Sequence, residues 1–179
     1  MKHLYLLALL SLTACKLPHR QQFALDARVT VELPNQPHAL NPYKVRTVKH
    51  PERMKIWVLR TLGGTYQLLR SVNPAVHIAA QDTTSRARGY ARVEATLKAE
   101  HAQNVVARPF TVGGIEGREF TYNSFQHSTG KLEPRCMRSL VLDSVSYVFL
   151  FLPTNREVIP DFIGDRQQRL FLNSITVNP

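Results

Sequence analysis

The sequence has 179 residues, the size of one compact domain, and 44% of them are apolar, which excludes a chain that stays disordered. After residue 15 the richest apolar run is VSYVFLFL at 145–152, far shorter than the roughly 20 residues that span a bilayer, so a second membrane segment is excluded. The formal net charge is +10, and the excess of basic residues lies before residue 93, which points to anionic partners for the first half of the chain.

The first fifteen residues, MKHLYLLALLSLTAC, have the layout of a secretory signal peptide, with a charged start, a short apolar stretch and small residues at its end. A buried N-terminal helix, the alternative, would show polar positions at helical spacing, and this stretch has almost none. Leu12-Thr13-Ala14-Cys15 resembles the lipobox of bacterial lipoproteins. The resemblance implies cleavage after Ala14, a diacylglyceryl group on the Cys15 sulfur and an acylated amino terminus. Position 16 is lysine rather than the aspartate that retains many such lipoproteins in the inner membrane, so the resemblance favours the outer membrane, with the domain facing the periplasm.

We therefore predict a signal peptide at residues 1–14, a lipidated tether at 15–25 and a single domain at 26–179. Two or more acyl chains hold a protein durably, since each buried CH₂ contributes about 0.8 kcal/mol. With Cys15 lipidated, Cys136 has no partner within the chain, so the fold must be stable without a disulfide. We interpret Cys136 as a small apolar residue in a strand; an intermolecular disulfide and a catalytic thiol are the alternatives.

The densest basic segment is YKVRTVKHPERMKIWVLR at 43–60, whose cations are Lys44, Arg46, Lys49, Arg53, Lys55 and Arg60. In a protein tethered by its N-terminus, these cations predict contact with anionic lipid head groups, at about 1 kcal/mol for each one near a charged surface. A solvated face that keeps the protein soluble is the alternative. Nucleic acid is a third partner, because Tyr43 and Trp57 could stack on bases, but export to the envelope makes it the least favoured.

Alternating apolar residues predict a strand within ARVTVELP, residues 27–34. The segment MKIWVLRTLGGTYQLLRSV at 54–72 predicts a hairpin around Gly63-Gly64, because glycine tolerates the positive φ that tight turns need. Two further hairpins are predicted, with turns near 113–114 and 143–144. Strands joined by tight turns indicate an antiparallel sheet.

Two helices complete the pattern. Asp82, Thr83 or Thr84 can cap the first, which is predicted to run to about Asn104, and Pro160 suits the first turn of the second, ending near residue 172. SITV can form a short final strand. Two helices long enough to cover an antiparallel sheet predict an α+β fold.

The second half of the chain resembles the PsbP-like family in its capped helix, GGIEGREFTY, an Arg-led strand, the strand Val145–Leu150, and a proline-led helix ending in LFLNSITV. ARVTVELP is similar to the first strand of that family. The family includes the extrinsic P subunit of photosystem II, a nuclear-import regulator and many small bacterial lipoproteins. The resemblance covers about residues 26–177 and implies an antiparallel sheet sandwiched by helices, an α/β/α sandwich. It implies no catalytic residue.

No motif identifies a reaction, a cofactor or a metal site. His50, His77 and His101 lack the spacing of zinc ligands, and the serines lack a GxSxG context. GGIEG at 113–117 has β-prone residues on both sides, which favours a hairpin turn over a phosphate-binding loop. The acidic pairs have structural explanations at a strand start and a helix N-terminus; they are Glu116/Glu119 and Asp161/Asp165.

We therefore expect a lipid-anchored, non-catalytic binding or assembly module of the cell envelope, without cofactor or metal, that holds anionic lipid or an envelope protein. One alternative is a small-ligand carrier or enzyme with a pocket between sheet and helix, where Tyr90, Tyr122 and Tyr147 converge. The other is an immunity or accessory lipoprotein of a secretion system.

Overall fold

The computed structural model describes residues 19–45, 50–73, 82–126, 130–154 and 161–178. Its strands are β1 Gln21–Ala24, β2 Val29–Leu33, β3 His38–Leu40, β4 Met54–Arg60, β5 Gly64–Val72, β6 Gln103–Val112, β7 Ile115–Gln126, β8 Lys131–Leu142, β9 Val145–Pro153 and β10 Thr176–Val177. Seven of them form a large antiparallel sheet in the order β3-β4-β5-β9-β8-β7-β6. The other three form a small sheet in the order β1-β2-β10.

The helices are α1 Thr83–Ala99 and α2 Asp161–Asn173, and short 3₁₀ turns lie at Pro42–Lys44 and Pro51–Arg53. Helix α1 begins at Asp82, whose side chain accepts a hydrogen bond of 2.9 Å from the backbone N–H of Ser85. The predicted end of this helix near Asn104 is wrong. The helix ends at Ala99, and His101 adopts a positive φ of 62° before β6 begins at Gln103. Asn104, with a φ of 54°, lies within β6 at a shift in its register with β7.

The large sheet buries apolar side chains on both faces. Along β9, Tyr147, Phe149 and Phe151 point to one face and are fully buried, while Val148 and Leu150 point to the other. Helix α1 covers the second face beside β6 and β8. The first face packs on α2 and on the small sheet, which contribute Val29, Val31, Leu33, Phe171 and Leu172 to the same core.

This arrangement confirms the antiparallel sheet with covering helices but makes the molecule richer in β-structure than the predicted α/β/α sandwich. Among the residues that the structure describes, helix α1 alone forms the outer layer on one face. On the opposite face, α2 shares the layer with a three-stranded sheet. The small sheet was not predicted because β1 and β10, the strands on either side of β2, are short. Strand β1 also begins with two glutamines, which gives no apolar alternation.

The assignment of residues 15–25 to a tether also changes. Gln21–Ala24 pairs antiparallel with β2, and the ring of Phe23 packs edge-on against Trp57 at a centroid distance of 5.6 Å. Leu25 lies in the core. The described fold therefore already includes residues 21–25, which the sequence assigned to the tether, because Phe23 and Leu25 bury apolar area against the domain.

The predicted hairpins form, but the reason given for the first one is wrong. Gly63 and Gly64 do not adopt positive φ. Gly64 is needed for space, because a Cβ there would lie 2.4 Å from the Phe151 ring and 2.6 Å from the Leu152 carbonyl oxygen. A Cβ on Gly63 would meet only the flexible end of the Gln167 side chain, which can move aside. At the β6–β7 turn the predicted reason holds, since Gly113 and Gly114 have φ of 55° and 75°.

The strand registers define two ends of the large sheet. The pairs Gly64–Pro153 and Gln126–Lys131 lie at what we call the proximal end. The pairs at the opposite, distal end are Met54–Ser71, Val72–Val145 and Val112–Ile115.

Residue 20 lies at the proximal end. Burial raises the pKa of the Tyr66 phenol, and the positive charge of Arg20 opposes this rise, so Arg20 lies near Tyr66. The Tyr66 hydroxyl lies 3.4 Å from Oε1 of Gln167, the side chain that lies against Gly63 in the β4–β5 turn. The chain therefore reaches β1 beside this turn.

Candidate functional site

The structure separates the predicted basic residues into two places. Lys44 and Arg53 end the two 3₁₀ turns and Lys55 is the second residue of β4, so these exposed cations lie at the distal end. Arg60 is the last residue of β4, at the proximal end. Five residues of strand separate Lys55 from Arg60 by about 17 Å, and their side chains point to opposite faces of the sheet. The four cations therefore do not form one surface.

Three of the predicted site residues, Cys15, Arg46 and Lys49, lie outside the described residues. Of the cations that the structure describes, Arg53 is engaged by its neighbour, with 3.3 Å between its Nε and Oε1 of Glu52. Lipid attachment at Cys15 stays a prediction. No helix in the described ranges is long and apolar enough to cross a membrane.

The proximal end carries exposed apolar side chains. Leu62 in the β4–β5 turn is 88% exposed, and Phe125 and Leu132, which pair across β7 and β8, are 51% and 46% exposed. The first five residues of β8 extend beyond its pairing with β9, so the β7–β8 hairpin projects from the sheet. Arg60 and Lys131 add exposed cations at the same end, whereas Arg20 is paired with Glu32. Sequence reasoning missed this combination because it depends on two turns far apart in the chain.

Of the two acidic pairs in the sequence, Glu116/Glu119 is engaged in ion pairs. Oε1 of Glu116 lies 2.8 Å from Nη1 of Arg118, and Oε2 of Glu119 lies 2.8 Å from Nε of Arg138. The two carboxylates also point to opposite faces of β7, as residues three apart in a strand must. Among the residues the structure describes, no three His, Cys, Asp or Glu side chains gather as a metal site would require.

Cys136 lies in β8 and is 8% exposed. Burial raises the pKa of its thiol to about 11, so the protonated form dominates at neutral pH. A thiol that stays protonated is a poor nucleophile, and this environment fits the interpretation of Cys136 as an apolar strand residue.

The three tyrosines proposed for a pocket do not converge. Tyr90 and Tyr122 belong to the core under α1, whereas Tyr147 belongs to the core on the other face. The hydroxyl of Tyr90 donates to the Glu116 carbonyl at 2.9 Å, and burial raises the pKa of each phenol to about 12. These tyrosines are therefore packing residues.

A cluster that sequence reasoning missed surrounds Asp26, between β1 and β2. Its Oδ2 accepts hydrogen bonds from the Tyr147 hydroxyl at 2.6 Å and from Nε of Arg70 at 2.7 Å. Its Oδ1 accepts from the backbone N–H groups of Arg28 and Val29. Burial alone would raise the pKa of Asp26, but these hydrogen bonds offset burial and lower it. The cluster ties the small sheet to the large one.

A cleft of about 390 Å³ lies between α1 and the distal part of the large sheet. It occupies the place predicted for a pocket between sheet and helix, but serines and arginines line it instead of tyrosines. Its polar lining includes Ser85, Arg88, Arg92, Ser139, Ser144 and Ser146. The sequence signal is the interruption of the apolar run RCMRSLVLDSVSYVFLFL by serines, which is recognisable only after the strands are paired.

Comparisons with protein-family models and with curated proteins found no match for this chain. Among solved structures, cyanobacterial PsbP (CyanoP) from Synechocystis sp. PCC 6803 is similar with a TM-score of 0.56 and 13% identity, over 92% of this chain and 96% of that chain. A protein of unknown function from Pseudomonas aeruginosa, PA94, aligns over 85% of this chain and 94% of its own with a TM-score of 0.40 and 9% identity. The similarity to CyanoP confirms a PsbP-like fold. At this identity it shows the fold alone.

Proposed function

We propose that this chain is a lipid-anchored protein of the bacterial cell envelope whose domain is a non-catalytic binding module, held against the membrane by its proximal end. One observation carries the proposal. The chain enters the domain at residue 20, at the proximal end, and this end also carries three exposed apolar side chains, Leu62, Phe125 and Leu132. A tether from Cys15 to this point is short, so a lipid on Cys15 would bring these side chains to the bilayer surface.

The energies are sufficient for such an orientation. Full burial of a leucine or phenylalanine side chain contributes about 1.5–3 kcal/mol. Each cation near an anionic surface adds about 1 kcal/mol, and Arg60 and Lys131 lie exposed at this end. Together these contacts exceed the cost of restricting a domain that its lipid already holds at the membrane.

The distal end then faces the aqueous compartment. Lys44 and Lys55 are exposed there, and we assign them to contact with an acidic envelope protein rather than with lipid. The side chains considered for catalysis, Glu116, Glu119 and Cys136, are each engaged in ion pairs or packing, which supports a binding role over a catalytic one. The lysine at position 16 favours the outer membrane, with the domain in the periplasm.

The anchor is tested by expressing the full-length chain in a Gram-negative host, separating detergent and aqueous phases, and measuring the mass of the N-terminal peptide. We expect a peptide that begins at Cys15 and carries acyl chains, in the detergent phase. Cys15→Ala should abolish the acylated peptide, while the matched variant Cys136→Ala should keep it. A wild-type protein that retains Met1 and stays in the aqueous phase contradicts the proposal.

A further inference from the structure

The distal cleft has one wall from the helix and one from the sheet. Ser85, Arg88 and Arg92 lie at i, i+3 and i+7 of α1, so they share one face of the helix. Ser139 and Ser146 lie on β8 and β9, on the sheet face that α1 covers. Open space remains between helix and sheet beside Gly89, because a Cβ placed on this residue would meet only the Val141 side chain, at 3.8 Å.

Ser139 is buried without a hydrogen-bond partner. Its side chain lines the cleft and the residue is 1% exposed, yet the hydroxyl has no partner among the described residues. A buried polar group left unsatisfied costs about 1–3 kcal/mol, and an apolar residue at this strand position would avoid that cost. The hydroxyl is therefore available to a molecule that enters the cleft.

The charge of the cleft is positive. Arg88 and Arg92 are exposed, and neither guanidinium forms an ion pair with a carboxylate in the described ranges. Asp143 at the rim is paired with Arg28. Asp82 feels the charge of Arg88, but its carboxylate caps the helix at Ser85. Two like charges four residues apart destabilise a helix, and a bound anion would relieve that repulsion.

We propose that this cleft binds a phosphate group, either free or in a small phosphate ester. Two guanidiniums and the hydroxyls of Ser139, Ser144 and Ser146 offer more donors than the two oxygens of a carboxylate can use, while the Ser85 side chain already hydrogen-bonds to Asp82. Val93, Val141 and Val148 form the apolar part of the lining, and 390 Å³ leaves room for an organic group beside the phosphate. The proposal does not depend on the lipid anchor.

The proposal is tested by isothermal titration of the full-length protein in non-ionic detergent with inorganic phosphate, glycerol 3-phosphate and succinate. We expect saturable binding of phosphate, binding of glycerol 3-phosphate at least as tight, and succinate at least tenfold weaker. Tighter binding of the ester than of phosphate identifies an ester as the ligand; the reverse identifies the free ion. Absence of saturable phosphate binding, or succinate bound as tightly as phosphate, overturns the proposal.

Variants place the ligand in the cleft. Arg88→Gln/Arg92→Gln should weaken phosphate at least tenfold, whereas the charge-matched pair Lys98→Gln/Arg108→Gln, on exposed positions outside the cleft, should stay within twofold. Ser139→Ala should weaken phosphate about threefold while raising the Tm, because it removes an unsatisfied hydroxyl. A purely structural serine would not move affinity and stability in opposite directions. Equal losses in the two charge pairs, or unchanged affinity in Ser139→Ala, overturn the assignment.

Discussion

At the scale of single residues, Asp26 joins the two sheets through one carboxylate. Its partners come from three segments: the β1–β2 connection, β5 through Arg70 and β9 through Tyr147. Charged hydrogen bonds contribute more than neutral ones, and this side chain is only 21% exposed, so solvent screens them little. The carboxylate thus holds the small sheet in place at the distal side of the core.

We expect Asp26→Asn to lower the free energy of unfolding by about 2–3 kcal/mol, since it removes the charge that Arg70 and Tyr147 satisfy. Because the pKa of Asp26 is lowered in the fold, its contribution is present above the ordinary carboxyl pKa of about 4 and is lost as the pH falls through the lowered value.

Urea unfolding at several pH values measures both effects. Wild-type stability should fall below about pH 4 more steeply than that of Asp26→Asn. The exposed Asp165→Asn, which removes a carboxylate outside this cluster, is the matched control. Equal pH slopes in wild type and Asp26→Asn would contradict the role assigned to this carboxylate.

At the scale of elements, two glycines show how position decides what an added methyl group does. Gly64 begins β5, where a Cβ would overlap the Phe151 ring and lie 2.6 Å from the Leu152 carbonyl oxygen. Gly89 lies inside α1, where a Cβ meets only an ordinary contact. Both glycines look like weak points of their elements in the sequence, yet only the first is required by packing.

Gly64→Ala should therefore destabilise the protein by about 2–3 kcal/mol, through overpacking of the β5–β9 pair. Gly89→Ala, the matched methyl addition, should stabilise it by about 1 kcal/mol, because alanine favours the helix and restricts the unfolded chain. Thermal unfolding followed by circular dichroism measures both variants. A Gly64→Ala protein as stable as Gly89→Ala would show that the β4–β5 turn tolerates a side chain.

At the scale of the whole molecule, the antiparallel registers sort the surface into two ends with different chemistry. The proximal end combines apolar tips with cations, and the distal end holds the basic 3₁₀ turns and the cleft. Under the proposed function, one end meets lipid and the other meets soluble partners. This division follows from strand pairing, since residues such as Lys55 and Arg60 are close in the chain and lie at opposite ends.

The orientation can be measured with single cysteine labels on the lipidated protein in vesicles, in a Cys136→Ser background. A fluorophore on Leu62→Cys should be quenched by a quencher in the bilayer, and one on Tyr43→Cys by a quencher in water. Both positions are exposed in the fold, at 88% and 71%, so the difference reports the membrane and not burial. Equal quenching of both labels by the aqueous quencher would contradict the proposed orientation.

Local pattern was sufficient for β2, for the β4–β5, β6–β7 and β8–β9 hairpins and for the presence of both helices, because alternation, glycine pairs and capping residues act over a few neighbours. It missed β3 and placed the end of α1 too late. It was insufficient for β1, because Gln21 and Gln22 show no apolar alternation. This strand is held by the contact between the Phe23 and Trp57 rings. Local pattern also grouped six cations by their proximity in sequence. Whether neighbours in sequence share a surface depends on which end and face of a strand each one occupies.

The sequence by itself determined the antiparallel α+β plan, and it predicts one chemical role, lipid attachment at Cys15, since a lipobox and a hairpin are both short-range patterns. Only the tertiary structure decided that Leu62, Phe125 and Leu132 share one end and that Arg88, Arg92 and Ser139 share one cleft. Those groupings depend on pairing between strands distant in the chain and on where α1 packs. Burial and register act across such distances, and no local pattern encodes them.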